Sequence, residues 1–198
     1  IIRKVIINTL DVTTLVGQTT SGTTNGIGTI AKFDGPTGLT FLSGESDVLI
    51  ADSNNNMIRK LTLSTLQVSV FAGVSTSGIV NGIGTNSKFN DPHGLAISKD
   101  RTYVLVGDTT NNRIRKIIIS TFDVTTLAGS TQGTANGIGT NSKLNNPTEI
   151  SISSDGTYAV ISDYGSHLIR KLIISSATVT TLAGGSTLGT SNGIGTNA

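Results

Sequence analysis

The sequence predicts an all-β protein made of repeated antiparallel sheets, and three observations support this. The phrase Asn-Gly-Ile-Gly-Thr begins at Asn25, Asn81, Asn136 and Asn192, at spacings of 56, 55 and 56 residues. β-Branched residues, which favour strands, are abundant. Short apolar runs alternate with turn residues and show no helical periodicity. A fixed repeat that contains four short strands is typical of the blades of a β-propeller.

Each repeat is predicted to contain four strands, A to D. In the second complete repeat they are expected at 94–98, 102–107, 114–120 and 124–128, bounded by turn residues. Strand B is apolar almost without alternation in every repeat, which predicts burial on both faces. Blades that stack face to face would bury it in this way.

The connection from strand D to the next strand A makes the repeat longer than the roughly 40 to 50 residues of other propeller repeats. This loop, for example 130–147, is rich in Gly, Asn, Ser and Thr. Apolar residues are expected to pin it to the blade. The pairs are Ile27 with Phe33, Ile83 with Phe89 and Ile138 with Leu144, and Ile194 begins the fourth.

The repeats divide the chain into about three and a half blades within a single segment, 1–198. Strands C and D of a half blade are expected in 1–17, complete blades in 36–73, 92–129 and 147–184, and an outgoing loop in 185–198. Closed propellers have about four to eight blades. The ring is therefore expected to be completed by a longer parent chain, roughly 336 residues for six blades, or by oligomerisation.

The run DPHGLAIS at 91–98, followed by YVLVGDTTNNRIRKIIISTFDVTTLAG at 103–129, resembles the NHL repeat in its long-loop variant. This resemblance covers essentially the whole chain and implies a propeller, whereas NHL propellers serve many functions. The third copy departs from the pattern. Pro147-Thr148-Glu149 replaces Pro-x-Gly, and residues 163–167 replace the Asp-x-x-Asn-Asn turn. That blade is expected to face something different.

An Asp-to-Arg motif recurs in every complete blade. We expect the carboxylate to cap the turn between strands B and C, and the arginine to tie that turn to an adjacent strand or blade. An ion or anion site is the alternative, but recurrence in every blade favours the structural interpretation. The residues of this structural blade motif are Asp52, Arg59, Asp108, Arg115, Asp163 and Arg170.

Several cofactor and metal sites lack the residues that they need. The Gly-rich phrase has no following Lys-Ser/Thr, so it is not a phosphate loop. Asp52 opens a stretch similar to a calcium loop, but Met57 stands at the required Gly and Leu63 at the required Glu. Cysteine is absent and there are two histidines, whereas zinc needs three or four ligands. Lyase-type propellers, which this family resembles, use several histidines. We therefore predict no cofactor, no metal and no catalytic residues.

A small ligand, if one binds, is expected at the mouth of the central channel, where the long loops and the B–C turns emerge together. Residues that occur in one blade only are the best candidates there. They are Asp91, His93, Glu149, Tyr164 and His167. The alternative is that each is an exposed loop residue without a partner.

Composition narrows the functional class. Charged residues make up 13% of the chain, the net charge is +2, aromatic residues make up 4%, and there is no Trp. RNA binding needs a basic face with stacking aromatics, so this composition argues against it. The chain has no apolar run near the roughly 18 residues of a membrane span. No nucleic acid and no membrane insertion are therefore predicted.

The predicted function is a non-enzymatic structural or protein-interaction scaffold at a cell surface, or in an extracellular assembly or filament. Its partners would be proteins, including copies of itself or further blades. Asn146 is followed by Pro147, so no N-glycosylation sequon is present and any glycans would be O-linked. The main alternative is a ligand-binding sensor propeller attached to another domain. A lyase, hydrolase or RNA-binding propeller ranks below it.

Overall fold

Antiparallel sheets follow one another along the chain. The computed structural model describes residues 1–42, 44, 46–185, 187, 189 and 192–197. Within them lie one sheet of two strands and three sheets of five strands. The two-stranded sheet pairs β1 (Ile2–Ile6) with β2 (Asp11–Val16) and forms a half blade. The prediction of an all-β fold built of propeller blades is confirmed.

The three five-stranded sheets are complete blades with the same strand order. Blade 1 contains β3 (Gly26–Ile27), β4 (Pro36–Phe41), β5 (Asp47–Asp52), β6 (Met57–Thr62) and β7 (Gln67–Gly73). Blade 2 contains β8 (Gly82–Ile83), β9 (Pro92–Ile97), β10 (Tyr103–Asp108), β11 (Arg113–Ile118) and β12 (Asp123–Ala128). Blade 3 contains β13 (Gly137–Ile138), β14 (Pro147–Ile152), β15 (Tyr158–Asp163), β16 (Leu168–Ile173) and β17 (Thr178–Ala183).

Strands A to D of each blade pair in sequence order, and the A strands β4, β9 and β14 lie beside one another. The blades bury apolar faces against their neighbours. Leu49 and Ile58 of blade 1 share a cluster with Val104 and Ile117 of blade 2. Strand B is buried along almost its whole length in blades 1 and 2, whereas β15 alternates between buried and half-buried residues. The predicted two-sided burial therefore describes the first two blades better than the third.

The fifth strand of each blade comes from the long loop and was not predicted. In blade 1, Gly26 pairs with Val68 and Ile27 pairs with Gln67, so the loop crosses to the outer edge of the sheet before it returns to strand A. Two residues of sequence Gly-Ile carry no strand signal of their own. Their pairing is instead imposed by the loop around them.

One-turn 3-10 helices follow these short strands and join neighbouring blades at the outer edge. They are Gly28–Ile30, Gly84–Asn86 and Gly139–Asn141. A fourth one-turn helix, Gly195–Asn197, accepts a hydrogen bond from the Gly184 amide of blade 3. The Gly139 carbonyl oxygen accepts a hydrogen bond from the Gly129 amide of blade 2, and the Gly139 amide donates to Ala177 of blade 3. Gly139 has a φ of 55°, a conformation that a residue without Cβ adopts at low cost.

The apolar residues of the loop divide into a buried and an exposed set. Phe33, Phe89 and Leu144 are 0–3% exposed and pack under the loop. Ile27, Ile83 and Ile138 are instead 55%, 61% and 61% exposed. The expectation that the isoleucines pin the loop is therefore wrong, because they lie on the short fifth strands that pair with the outer strand D of each blade.

The B–C turns are short and close with a left-handed residue. Blades 1 and 3 have 3-10 helices at Ser53–Asn55 and Tyr164–Ser166, and blade 2 has a turn at the same place. Asn56, Asn112 and His167 then adopt φ values of 56°, 57° and 60°. In the described part of the chain, no helix is both long enough and apolar enough to span a bilayer.

Candidate functional site

Arg59 is fully buried at the centre of a polar network in blade 1. Its Nη1 donates to Asp52 Oδ2 at 2.7 Å and to the Lys32 carbonyl at 3.1 Å. Its Nη2 donates to Asn25 Oδ1 at 2.7 Å and to the Thr24 carbonyl at 3.2 Å. The arginine therefore binds the long loop, and not an adjacent strand or blade, to the B–C turn.

The same network recurs in the other two blades. Arg115 binds Asp108 at 2.9 Å and Asn81 at 2.8 Å, and Arg170 binds Asp163 and Asn136 at 3.0 Å each. The first residue of Asn-Gly-Ile-Gly-Thr is thus an acceptor for the guanidinium. The repetition of this Asn was the sequence signal for its structural role.

The buried carboxylates accept hydrogen bonds at both of their oxygens. Asp52 Oδ1 accepts the Asp34 amide at 2.7 Å, and Oδ2 accepts Asn55 Nδ2 at 2.9 Å besides Arg59. Burial raises the pKa of Asp52 above its usual range, and the hydrogen bonds from Asn55, Asp34 and Arg59 oppose this shift. Burial likewise raises the pKa of Asp108. Both carboxylates therefore bind the backbone of the long loop, through the amides of Asp34 and Asn90.

Asp91 and His93 form an ion pair or hydrogen bond at the start of strand A in blade 2. His93 Nε2 lies 3.1 Å from Asp91 Oδ1, and the side chains are 28% and 37% exposed. The Asp91 amide donates to Asn56 Oδ1 of blade 1 at 2.9 Å, which holds Asp91 in a left-handed conformation with φ 56°. The pair therefore lies at the junction of two blades with part of its surface accessible.

The other three predicted residues lie apart from this pair. Glu149 is exposed on β14, and Tyr164 and His167 are exposed in the B–C turn of blade 3. Within the described residues, no hydrogen bond or ion pair joins them to Asp91 or His93. Those residues also contain no group of three His, Cys, Asp or Glu side chains arranged to hold a metal.

Contacts between neighbouring blades involve residues that sequence reasoning missed. Ser53 Oγ donates to the Pro92 carbonyl of the next blade at 2.6 Å, and Thr109 Oγ1 donates to Pro147 at 2.8 Å. Asn112 Oδ1 accepts the Asn146 amide at 2.9 Å, as Asn56 accepts Asp91. Repeat alignment places Tyr164 at the position of Ser53 and Thr109. It places His167 at the position of Asn56 and Asn112. An alignment of the repeats could therefore have shown that these two positions are conserved in kind in blades 1 and 2 and altered in blade 3.

Comparison with known proteins supports this architecture. No family model matches the chain. The human NHL repeat-containing protein 2 is 31% identical over 107 residues, which are 54% of this chain and 15% of that protein. The chain thus spans about a seventh of the curated relatives that it matches. These relatives confirm the resemblance to NHL-repeat β-propellers.

Solved structures with low sequence identity share the fold. A protein of unknown function from Bacteroides thetaiotaomicron has a TM-score of 0.64 and 19% identity, covering 89% of this chain and 40% of its own. An auxiliary nutrient binding protein from the same organism has a TM-score of 0.63 and 18% identity, covering 80% and 39%. Hydrazine synthase of Kuenenia stuttgartiensis, an enzyme, has a TM-score of 0.53 and 14% identity, covering 83% and 38%.

The fold and the relatives together define the chain as a run of β-propeller blades. These blades resemble those of NHL-repeat proteins. The buried Asp–Arg networks build the blades. The accessible polar residues that differ between blades lie at the start of strand A and in the B–C turns.

Proposed function

We propose that this chain is a non-enzymatic scaffold of a cell surface or an extracellular assembly, and that Asp91 and His93 contact its protein partner. The observation that carries the proposal is the contrast between a repeated framework and one unrepeated pair. Asp91 and His93 occur where blade 1 has Gly35 and Thr37. A partly exposed pair at one blade junction gives a largely repetitive surface a distinct contact.

The chemistry of the pair supports binding better than catalysis. A histidine that activates a nucleophile must reach a hydroxyl or thiol, while a third group orients the ring. Asp91 could orient the ring of His93. In the described part of the chain, however, His93 makes its side-chain hydrogen bond with Asp91, and neighbouring Ser53 is bonded to Thr37 and Pro92.

The surface supports a protein partner. Ile27, Ile83 and Ile138 are more than half exposed at the outer edge of successive blades. They occupy the same position in successive blades, so a protein long enough to span the blades could contact all three. The near balance of 14 basic and 12 acidic residues favours contacts through shape and hydrogen bonds. Self-association into rings or filaments through these surfaces is one form of the proposal.

A photo-crosslinking residue at position 93 of the intact source protein tests the partner contact, with Lys99, exposed in the A–B turn of the same blade, as the control position. The captured protein is then purified, and its affinity is measured for wild type, His93→Ala and Lys99→Ala. We expect His93→Ala to weaken binding about tenfold, as loss of a central polar contact does, and Lys99→Ala to bind like wild type. Equal binding by all three proteins would refute the role of His93.

Location is tested on intact cells of the source organism. A membrane-impermeant amine label should reach exposed lysines such as Lys99, and protease treatment of the cells should remove the protein. A mass series in hexose steps would show O-linked glycans as well. Labelling only after lysis would contradict a cell-surface location.

The second candidate is a propeller that binds a small polar ligand at the same pair. The observation that favours it is the partial exposure of Asp91 and His93, which leaves surface for a donor and an acceptor of a ligand. Thermal shift against a panel of polar metabolites tests it. A ligand that stabilises wild type but not His93→Ala would favour this candidate over the protein scaffold.

A further inference from the structure

Two seams join the three complete blades, and both are built by the same three positions. We use seam for the contact between strand A and the B–C turn of one blade and the start of strand A of the next. The positions are a glycine in strand A, a hydroxyl at the first turn residue and an asparagine at the last. Blades 1 and 2 carry Gly38, Ser53 and Asn56, and Gly94, Thr109 and Asn112, respectively.

The glycine is required because the neighbouring backbone fills the space of a side chain. A Cβ at Gly38 would overlap the His93 carbonyl oxygen of the next blade. A Cβ at Gly94 would lie 2.5 Å from the Thr148 carbonyl oxygen and 2.8 Å from the Glu149 Cα. Neither contact involves the end of a flexible side chain, so neither can be relieved without moving a strand.

The other two positions hold the next blade by hydrogen bonds. The hydroxyls of Ser53 and Thr109 donate to the proline carbonyl that opens the next strand A. The side chains of Asn56 and Asn112 accept the amide just before that proline. Together the three positions fix both the distance and the register of the next blade.

Blade 3 differs at all three positions. Glu149 stands where the seam needs Gly, Tyr164 replaces the small hydroxyl residue, and His167 replaces Asn while keeping the left-handed backbone. Tyr164 is 72% exposed. In the strand B beside them, Ser162 stands where blades 1 and 2 have Ala51 and Gly107. The changes are concentrated on one surface, the face of blade 3 defined by Glu149, Ser162, Tyr164 and His167.

We propose that this face binds a further protein unit through a contact unlike the first two seams. The unit places an arginine or lysine against Glu149. A unit seated as in the first two seams would press its backbone onto the Glu149 side chain. Covering the face would also remove water from a carboxylate to which no basic residue of the described chain is paired. Such desolvation is strongly unfavourable unless a cation compensates it. The partner unit therefore stands further from β14 and carries a positive charge there.

The steric part of the proposal is tested within the chain by two reciprocal changes. Gly94→Glu introduces the blade 3 residue into one of the first two seams, and we expect the melting temperature to fall by about 10 °C or more, as for other severe overpacking. Glu149→Gly, at a site without such a seam, is the matched control and should leave it within about 2 °C. An unchanged melting temperature for Gly94→Glu would overturn the claim that the seam excludes Glu.

The charge is tested on the intact source protein. Carbodiimide cross-linking followed by peptide mass spectrometry should join Glu149 to a lysine outside residues 1–198, or microscopy of the assembly should show an arginine or lysine within salt-bridge distance of it. Glu149→Lys should weaken that contact at least tenfold, and reversing the charge of the partner residue should restore it. If a blade is seated on this face as in the first two seams, or if no cation faces Glu149, the proposal fails. Neither result depends on His93, so the proposed function is tested separately.

Discussion

Blades 2 and 3 have the same strand order and the same buried arginine, but they surround that arginine differently. In blade 2 the guanidinium of Arg115 lies 5.3 Å from the centre of the Phe89 ring. Asn111 Nδ2 adds a hydrogen bond of 2.9 Å to Asp108 and one of 2.7 Å to the Gly78 carbonyl. Blade 2 therefore ties its loop to the B–C turn through the side chains of Arg115, Asp108 and Asn111.

Blade 3 keeps the arginine and changes its neighbours. Leu144 replaces the aromatic ring, so the cation–π contact of Arg115 has no counterpart at Arg170 among the described residues. Ser166 replaces Asn111 and donates to the main-chain oxygen of Asp163. The carboxylate of Asp163 still accepts Arg170 and the Asn145 amide. The comparison shows that the ion pair and the loop Asn are the constant part of the blade, whereas the residues around them vary.

Removing the arginine should produce the largest effect in both blades. Arg115→Leu leaves Asp108 buried without its cation, and Arg170→Leu does the same to Asp163. We expect each change to lower the free energy of unfolding by about 3–5 kcal/mol, measured by urea denaturation. The loss should be greater for Arg115, since its guanidinium also contacts Phe89.

Arg113 provides the control in the same strand. It is half-buried and donates to the Asn111 carbonyl at 2.7 Å. Arg113→Ala should cost about 1 kcal/mol or less, as for other partly exposed polar contacts. A loss of under about 1 kcal/mol for Arg115→Leu would mean that the network does not stabilise the blade.

Repetition explains how much of this framework could be predicted. Asp108 and Arg115 recur at a constant interval of seven residues, so the sequence identified them as a structural pair before their contacts were known. It could not identify the acceptors of the arginine, because the Lys88 and Val80 carbonyls belong to the backbone and carry no sequence signal. The fifth strand was missed for the same reason.

The candidate site was less predictable, because it depends on which face of a blade each side chain lies on. Glu149, Tyr164 and His167 were selected as unrepeated residues, and Asp91 and His93 were selected on the same ground. Sequence does not show that the first three line the face of blade 3 while the last two form a pair at the junction with blade 1. Their separation follows from the packing of the blades, in which the B–C turn of one blade donates a hydrogen bond to the start of strand A in the next.

Exchanging the residue beside the buried carboxylate should sharpen the comparison between the blades. Asn111→Ser copies blade 3 into blade 2 and removes two hydrogen bonds, one of them to an ionised group. We expect a loss of about 2 kcal/mol in the free energy of unfolding. Ser166→Asn, the reciprocal change, should gain about 0.5–1 kcal/mol by restoring a donor to Asp163. If both changes destabilise the protein equally, each blade is adapted to its own residue. The two networks then do not differ in how much they contribute to the free energy of unfolding.

The smallest expected effect concerns the A–B turns, where the two blades are alike. Ser98, Asp100 and Thr102 of blade 2 correspond to Ser153, Asp155 and Thr157 of blade 3, and in both turns the hydroxyls donate to the carboxylate. These hydrogen bonds, led by the one from Ser153, lower the pKa of Asp155 to about 2. The corresponding bonds, led by Ser98, also lower the pKa of Asp100.

The sign of the pH dependence follows from the lowered pKa values. Between about pH 4 and pH 2 the unfolded chain binds a proton at Asp155 that the folded protein does not, so stability falls as the pH falls through this window. Asp155→Asn should therefore reduce the drop in melting temperature between pH 4 and pH 2, and Asp100→Asn should act in the same direction. Asp123→Asn is the control, because the Asp123 carboxylate accepts no hydrogen bond within the described part of the chain. A matching reduction for Asp123→Asn would show that net charge, and not the turn, causes the effect.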